Sequence, residues 1–380
     1  MSAEAAAHAA KGHKVYPFHL GDMNIPTPPN IIEATRRAMR DGKTGYCPTV
    51  GIPELREAVA ADIGRSRGVE YTVENVAIQP GGKPLISKFF DALMNPGDEV
   101  LYPNPGYPIY ESQIDFQDGV RVPYGYREGA KNFVLDLDAM AASVTPNTRL
   151  LVLNSPQNPM AAESDDAELE RLAQLCIKHD LFVLCDEAYF DIRYDGRPRS
   201  LASLPGMQDR CLILYTFSKK FAMTGWRLGA AIGPPALIEV IARLNVNHES
   251  CSNHFIQYGA IEALTGDPSG HHEILRILKE RRDLAVKILN DIRGVRCYTP
   301  ESTFYLFPNV TEAMERMGVG DYERFRRRAL EETGVSFCTR LHFGTPRPGE
   351  RERYIRLAYS GIDLDQIEEG LAKLKAFIER

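Results

Sequence analysis

Three short apolar runs, each ending abruptly in polar residues, constrain this chain more than any other feature. Residues 149–156 read RLLVLNSP, 181–189 read LFVLCDEAY and 211–219 read CLILYTFSK. A run apolar at nearly every position fits a strand buried on both faces. Between the first two, Leu169, Leu172, Ala173 and Cys176 recur at helical spacing. This alternation predicts an α/β fold whose large domain is a mostly parallel sheet sandwiched by helices. Ligands of such sheets sit beyond the carboxyl ends of the strands, which is where the polar residues cluster.

The remaining pattern predicts helices over 51–64 and 84–94. From about residue 270 the texture changes. EILRILKERRDLAVKIL reads as one long amphipathic helix, followed by CYTPESTFYLF, a helix near 321–333, a strand-like YIRLAYS and a closing helix over 363–379. These form a smaller α+β domain. The first 28 residues have no sheet partner nearby in sequence and are expected to join it. The expected division is a large domain over 29–269 and a small domain made of 1–28 and 270–380.

Composition excludes several functions. The 45 Lys+Arg against 51 Asp+Glu give a net charge of −6, which argues against nucleic-acid binding by bulk charge. The seven cysteines are scattered, with no C-x-x-C, and read as buried free thiols of a cytoplasmic protein. The nine histidines form no ligand array. The pair His271-His272 reads as a solvated helix start, and no metal is expected. No apolar run approaches the ~18 residues of a membrane span, and the opening MSAEAAAHAAKGHK has no secretory h-region.

The chemistry concentrates in YTFSKKFAMTGWRLG, residues 215–229. A lysine, Lys219, closes a buried run, with Thr216 and Ser218 just before it and Arg227 eight residues on. A desolvated lysine near other cations forms Schiff bases. Hydroxyls and an arginine suit a phosphate. The combination points to a phosphorylated aldehyde cofactor, pyridoxal 5'-phosphate (PLP). Asp186 ends the neighbouring run and can keep a pyridine nitrogen protonated. Tyr189 and Asn158 can donate to the ring's phenolate oxygen. Gly81-Gly82-Lys83-Pro84 opens a helix, where free amides face an anion. Tyr107 can stack on a ring.

Four motifs occur in order: Y-x-P-x-x-G-x-x-x-L-R from Tyr46, N-x-P-x-N-P from Asn154, D-E-x-Y from Asp186 and S-K-x-F-x-M-T-G-W-R-L-G from Ser218. On these the chain resembles the class I/II PLP-dependent aminotransferases of fold type I, from about residue 15 to 376. The resemblance implies a transfer of the amino group of an L-amino acid to a 2-oxo acid by a ping-pong mechanism. It makes Lys219 the Schiff-base lysine and proton carrier, and Asp186 the partner of the pyridinium. Asn158 and Tyr189 contact the phenolate oxygen, and Tyr107 stacks on the ring. Gly81, Gly82, Lys83 (through its backbone), Thr216, Ser218 and Arg227 hold the phosphate. Tyr46 reaches the phosphate of a partner subunit, which implies a homodimer with shared sites. Arg356 binds the substrate α-carboxylate, and Gly21 lies beside the substrate. Family members usually carry more residues before the KGHKV segment, which implies a short form or a displaced start.

Four stretches depart from the family pattern: Gly21-Asp22-Met23-Asn24-Ile25, Asn158-Pro159-Met160-Ala161, Pro300-Glu301-Ser302-Thr303-Phe304, and Thr339-Arg340 before Leu341-His342-Phe343-Gly344. They suggest altered substrate selection. Arg340 replaces a small residue and is a candidate to meet an anionic group of the substrate; the other reading is that it points to solvent or pairs with a glutamate. Tyr16, Phe18, Tyr107, Met160, Arg340 and His342 are the expected pocket residues. Other PLP chemistry on the same fold stays open at this point: β-elimination by a C–S lyase, decarboxylation, a cyclising synthase or an oxidase. So does a non-catalytic effector-binding relative.

Overall fold

The computed structural model describes residues 1–380, and a seven-stranded sheet is its largest element. Its strands are β1 (Val76–Gln79), β2 (Glu99–Pro103), β3 (Val120–Tyr124), β4 (Thr148–Asn154), β5 (Phe182–Asp186), β6 (Cys211–Thr216) and β7 (Gly229–Ile232). They lie in the order β1-β7-β6-β5-β4-β2-β3. Only β7 runs antiparallel to its neighbours, β1 and β6. The other neighbouring strands pair in parallel. The fold is therefore α/β with a mostly parallel sheet, the arrangement expected from the uninterrupted apolar runs.

Alternate residues of these runs feed different cores, as the two-residue strand period requires. Leu151, Leu153, Val183, Cys185 and Ile213 pack on one face. Leu150, Val152, Leu184, Leu212 and Leu214 pack on the other. Helix α1 (Lys83–Leu93) covers the second face with Leu85, Ile86, Phe89 and Phe90. Helix α2 (Asp166–Lys178) covers the first with Leu169, Leu172, Ala173 and Cys176. Asp165 and Glu168 form its capping box, so the chain turns from loop to helix at a defined residue.

Two of the apolar runs end earlier as strands than their composition suggests. β5 stops at Asp186, and Glu187–Tyr189 turn away. β6 stops at Thr216, and a single helical turn, α3 (Phe217–Lys220), carries Lys219. The Thr216 hydroxyl accepts from the Ser218 amide at 3.2 Å and caps that turn.

A third core holds the last hundred residues together with the start of the chain. Tyr16 and Phe18 pack with Ile274, Leu278, Phe325 and Leu371. Tyr16–Pro17 pair in parallel with Val335–Ser336. The long helix α4 (Ser269–Asn290) packs on the closing helix α5 (Leu364–Ile378). A small sheet here has β8 (Tyr305–Leu306) and β9 (Cys338–Thr339) on either side of β10 (Ile355–Ala358). At the head of α4, His271 is half-buried and shares a hydrogen bond with the Lys220 carbonyl at 2.8 Å. Only His272 is solvated, because the turn that carries Lys219 packs against the first. All seven cysteines are free: Cys176, Cys185, Cys211 and Cys338 are buried, and Cys47, Cys251 and Cys297 partly so.

Candidate active site

A cavity of about 290 Å³ opens where β4, β5 and β6 end, and the third core closes its other side. Lys219 reaches into it from α3. Its Nζ donates to the Gly21 carbonyl at 3.0 Å and lies 5.4 Å from the centre of the Phe304 ring. Burial pushes the amine down to about 8. Asp22 opposes that shift, while Arg356, Arg227 and Lys83 add to it. A lysine in this state supplies a neutral, nucleophilic amine near neutral pH.

Asp186 stands at the tip of β5, in register with Asn154 of β4. It accepts from the Ala188 amide at 3.1 Å and from the Tyr110 hydroxyl. Burial raises its pKa; the Tyr110 hydroxyl and the Ala188 amide work against that. Neither partner is charged, so this buried carboxylate is without a counter-ion from the protein. Arg356 is its mirror image. It is 6 % exposed on β10, and its guanidinium donates to Asn158 Oδ1 (3.2 Å), the His19 carbonyl (2.7 Å) and Cys338 Sγ (3.5 Å). Its Nε has no partner. Burial pushes the nearby His19 imidazole down to about 4, so this residue too is neutral. An unpaired buried charge is costly. One anion, one reactive amine and one cation thus face a single cavity.

The remaining wall is built for a phosphate. Gly81 has φ +96°, and a Cβ there would lie 2.1 Å from Arg227 Nη2. Only glycine lets that guanidinium lie against the turn that opens α1. Arg227 itself has φ +55° and donates to the Thr224 carbonyl at 2.8 Å. Gly82, Thr216 and Ser218 line the same end. Tyr107 and Lys83 face each other across it, with the ammonium 5.9 Å from the ring centre. Tyr189 lines the cavity, and so does Asn158, whose amide donates to Asn154 Oδ1 at 2.9 Å. A ligand suited to these walls has a protonatable ring nitrogen for Asp186, a carbonyl for Lys219 and a phosphate for the glycine turn. PLP has all three.

Arg340 is the expectation the structure corrects. It is 1 % exposed and lies outside this cavity. Nε and Nη2 grip the Glu350 carboxylate at 2.7 and 3.1 Å, Nη2 also donates to Asn104 Oδ1 at 2.8 Å, and Nη1 donates to the Gly344 carbonyl at 3.0 Å. Its donors are consumed by a carboxylate ten residues along the chain, a side-chain amide and a backbone carbonyl. Arg340→Ala should therefore lower stability by about 2–3 kcal/mol, less than the ~3–5 kcal/mol of a fully buried pair because Glu350 is only half-buried. KM for acidic and neutral donors should change alike. Denaturant unfolding beside a two-donor KM comparison checks both.

Tyr16, Phe18, Met160 and His342 also fail to line the cavity. The first two fill the third core, and Met160 packs with Phe133, Phe307 and Tyr354. His342 contacts the Thr339 hydroxyl at 3.0 Å. Tyr46 is 88 % exposed and is not brought to the cavity within one chain. Tyr110, Asn154 and Tyr305 line it unexpectedly. Tyr110 and Asn154 carried a signal: the first stands three residues after Tyr107, one helical turn on, and the second ends a buried strand.

Comparison with known proteins agrees with the geometry. The family model described as aminotransferase class I and II matches residues 14–374. A probable aspartate/prephenate aminotransferase of Aquifex aeolicus is 35 % identical over 383 residues, covering 100 % of this chain and 95 % of that one. An aspartate aminotransferase of Bacillus subtilis is 31 % identical, with the same coverage. The solved aspartate aminotransferase of Rhizobium meliloti superposes with a TM-score of 0.92 at 29 % identity, over 100 % of this chain and 95 % of that one.

Proposed function

We propose, for a chain that belongs to the class I and II aminotransferases, how its own residues divide the work of PLP-dependent transamination and which donor they select. The chain has the PLP fold type I and moves an amino group from an amino acid to a 2-oxo acid. When bound, PLP supplies an electron sink that acidifies the substrate Cα–H bond. Lys219 Nζ takes that proton, and its lowered pKa keeps the amine available as a base. The Asp186 carboxylate holds a positive ring nitrogen. Tyr189 and Asn158 face the ring oxygen, and Tyr107 covers the ring. The Gly81–Gly82–Lys83 backbone, Thr216, Ser218 and Arg227 anchor the phosphate. Arg356 binds the α-carboxylate beside Gly21 and so orients Cα–H toward the lysine.

The observation that carries this reading is the opposed pair of unpaired buried charges, Asp186 and Arg356, with Lys219 in the same cavity. Mixing the loaded enzyme with one amino acid, and no oxo acid, tests it. A stoichiometric single turnover to the amine form of the cofactor is expected. Continuous release of ammonia and an oxo acid without an acceptor would show elimination instead. The names of the relatives favour transamination over the lyase, decarboxylase, synthase and oxidase alternatives.

The donor we propose is a dicarboxylic amino acid. With Arg340 engaged elsewhere, Lys83 supports this: it lines the cavity, projects over Tyr107 and makes no ion pair within the chain. The relatives are named for aspartate. Lys83→Ala should raise KM for aspartate about tenfold, as a partly desolvated ion pair would, and KM for alanine less than about twofold. Equal effects would remove Lys83 from donor selection.

A homodimer is part of the proposal. The exposed aromatic Tyr46, on a loop outside its own cavity, supports a role across an interface. The division into a large domain over 29–269 and a small domain of 1–28 with 270–380 is supported by the separate third core. No helix is long and apolar enough to cross a membrane. The free cysteines support a cytoplasmic location.

A further inference from the structure

We propose that Tyr305 is a positioning residue for transamination: its hydroxyl directs the hydrogen of Tyr189, and its ring holds the Arg356 guanidinium. This rests on the aminotransferase reading of the cavity. Tyr305 is 2 % exposed, and its Oη lies 2.7 Å from Tyr189 Oη. The two rings meet edge to face at 5.3 Å and 71°. Tyr189 follows β5 of the large sheet, whereas Tyr305 opens β8 of the small one, so the bond joins the two sides of the site. On its other flank the Tyr305 ring lies 4.5 Å from Arg356 Cζ. The β8–β10 register pairs Tyr305 with Ala358, two residues past Arg356 and on its face of the sheet.

The backbone around Tyr305 is held in a conformation that needs support. Thr303 is fully buried, β-branched and at φ +63°, a region such residues avoid. Four contacts keep it there. Its amide donates to the Ile192 carbonyl at 2.9 Å, and its carbonyl accepts from the Tyr194 and Tyr359 hydroxyls. Its Oγ1 accepts from the Tyr305 amide at 3.1 Å. Space has also been cleared for the hydroxyl: a Cβ at Gly21 would lie 2.5 Å from Tyr305 Oη. The same Gly21 accepts from Lys219 Nζ.

Each hydroxyl has one hydrogen to give. If Tyr305 donates within the pair, the Tyr189 hydrogen is free for the ring oxygen that Tyr189 faces. A hydroxyl that accepts a hydrogen bond is polarised and donates more strongly, so Tyr305→Phe weakens the Tyr189 donation to the ring oxygen but keeps the ring under Arg356. Tyr305→Ala removes both. Lys219, Arg356 and Asp186, the other charged groups around Tyr189, stay unchanged in either variant.

The experiment titrates the visible absorbance of the bound cofactor against pH and measures kcat and KM for the native enzyme and both variants. A hydrogen bond to the ring oxygen favours its charged form, so weakening it raises the midpoint. For Tyr305→Phe we expect a rise of about 0.5–1 pH unit, a three- to tenfold lower kcat and a KM within about twofold. For Tyr305→Ala we expect KM for the donor to rise about tenfold or more, because the cation–ring contact is lost as well. An unmoved midpoint in Tyr305→Phe overturns the hydroxyl's role. A native KM in Tyr305→Ala overturns the ring's role. A native enzyme whose cofactor no amino donor converts overturns the aminotransferase reading itself, which no Tyr305 result can do.

Discussion

Replacing Lys219 by alanine should abolish transamination, by more than about 10⁴-fold in kcat, while leaving the fold intact. General acid–base catalysis alone contributes about 10²–10⁴, and loss of the nucleophile adds to it. The pH dependence of the native protein distinguishes this lysine from an ordinary one. With its amine pushed down to about 8, about one molecule in ten is neutral at pH 7, against roughly one in 2,500 for an unperturbed lysine. Cofactor uptake by ligand-free native protein should therefore rise with pH to a midpoint near 8. The stability consequence has a definite sign. Between about 8 and the unfolded value near 10.4, the unfolded chain binds a proton that the folded chain does not. The lysine therefore opposes folding increasingly as pH falls through that window, and constantly below it. Lys219→Ala should be at least as resistant to denaturant at pH 7 as the native protein. An alanine variant that turned over at the native rate would sink the assignment.

Lys219 was legible from the sequence because a lysine after a buried apolar run, with hydroxyls before it and an arginine after it, is a rare combination. Its seat on a helical turn was not legible. Residue types in TFSK do not distinguish a strand end from a capped turn; the Thr216 side chain decides that by accepting from the Ser218 amide. The sheet was legible for a similar reason, since an unbroken apolar run has few other places to go. Tyr305 was hidden, because a tyrosine in FYLF reads as core and only the β8–β10 register places it under Arg356. The substrate pocket failed most often. Met160 and Arg340 occupy positions that depart from the family pattern, and His342 follows the second of them, yet none faces the cavity. A departure shows that something changed locally, and packing decides in which direction the side chain turns.

Arginines 340 and 356 show what separates a structural charge from a functional one, and exchanging either should give opposite results. Both are almost wholly buried. Arg340 has a carboxylate, Glu350, in its grip, whereas Arg356 has neutral acceptors only and a free Nε. A buried cation without a counter-ion lowers stability until an anion arrives. The Arg356→Met variant removes that penalty and keeps much of the packing volume against Tyr305 and Phe343. Its ligand-free stability should be unchanged or higher, although Asn158 Oδ1 and the His19 carbonyl each lose a donor. Its kcat/KM should fall about 10²–10⁴-fold for acidic and neutral donors alike, because every amino acid presents the same α-carboxylate, and removing one partner of a desolvated charge pair costs about 3–5 kcal/mol. Arg340→Ala should do the reverse, with stability falling and donor preference staying put. Unfolding curves and steady-state kinetics on the two variants measure this contrast. If Arg356→Met lost stability as Arg340→Ala does and kept its kcat/KM, the guanidinium would be structural and the α-carboxylate would have to bind elsewhere.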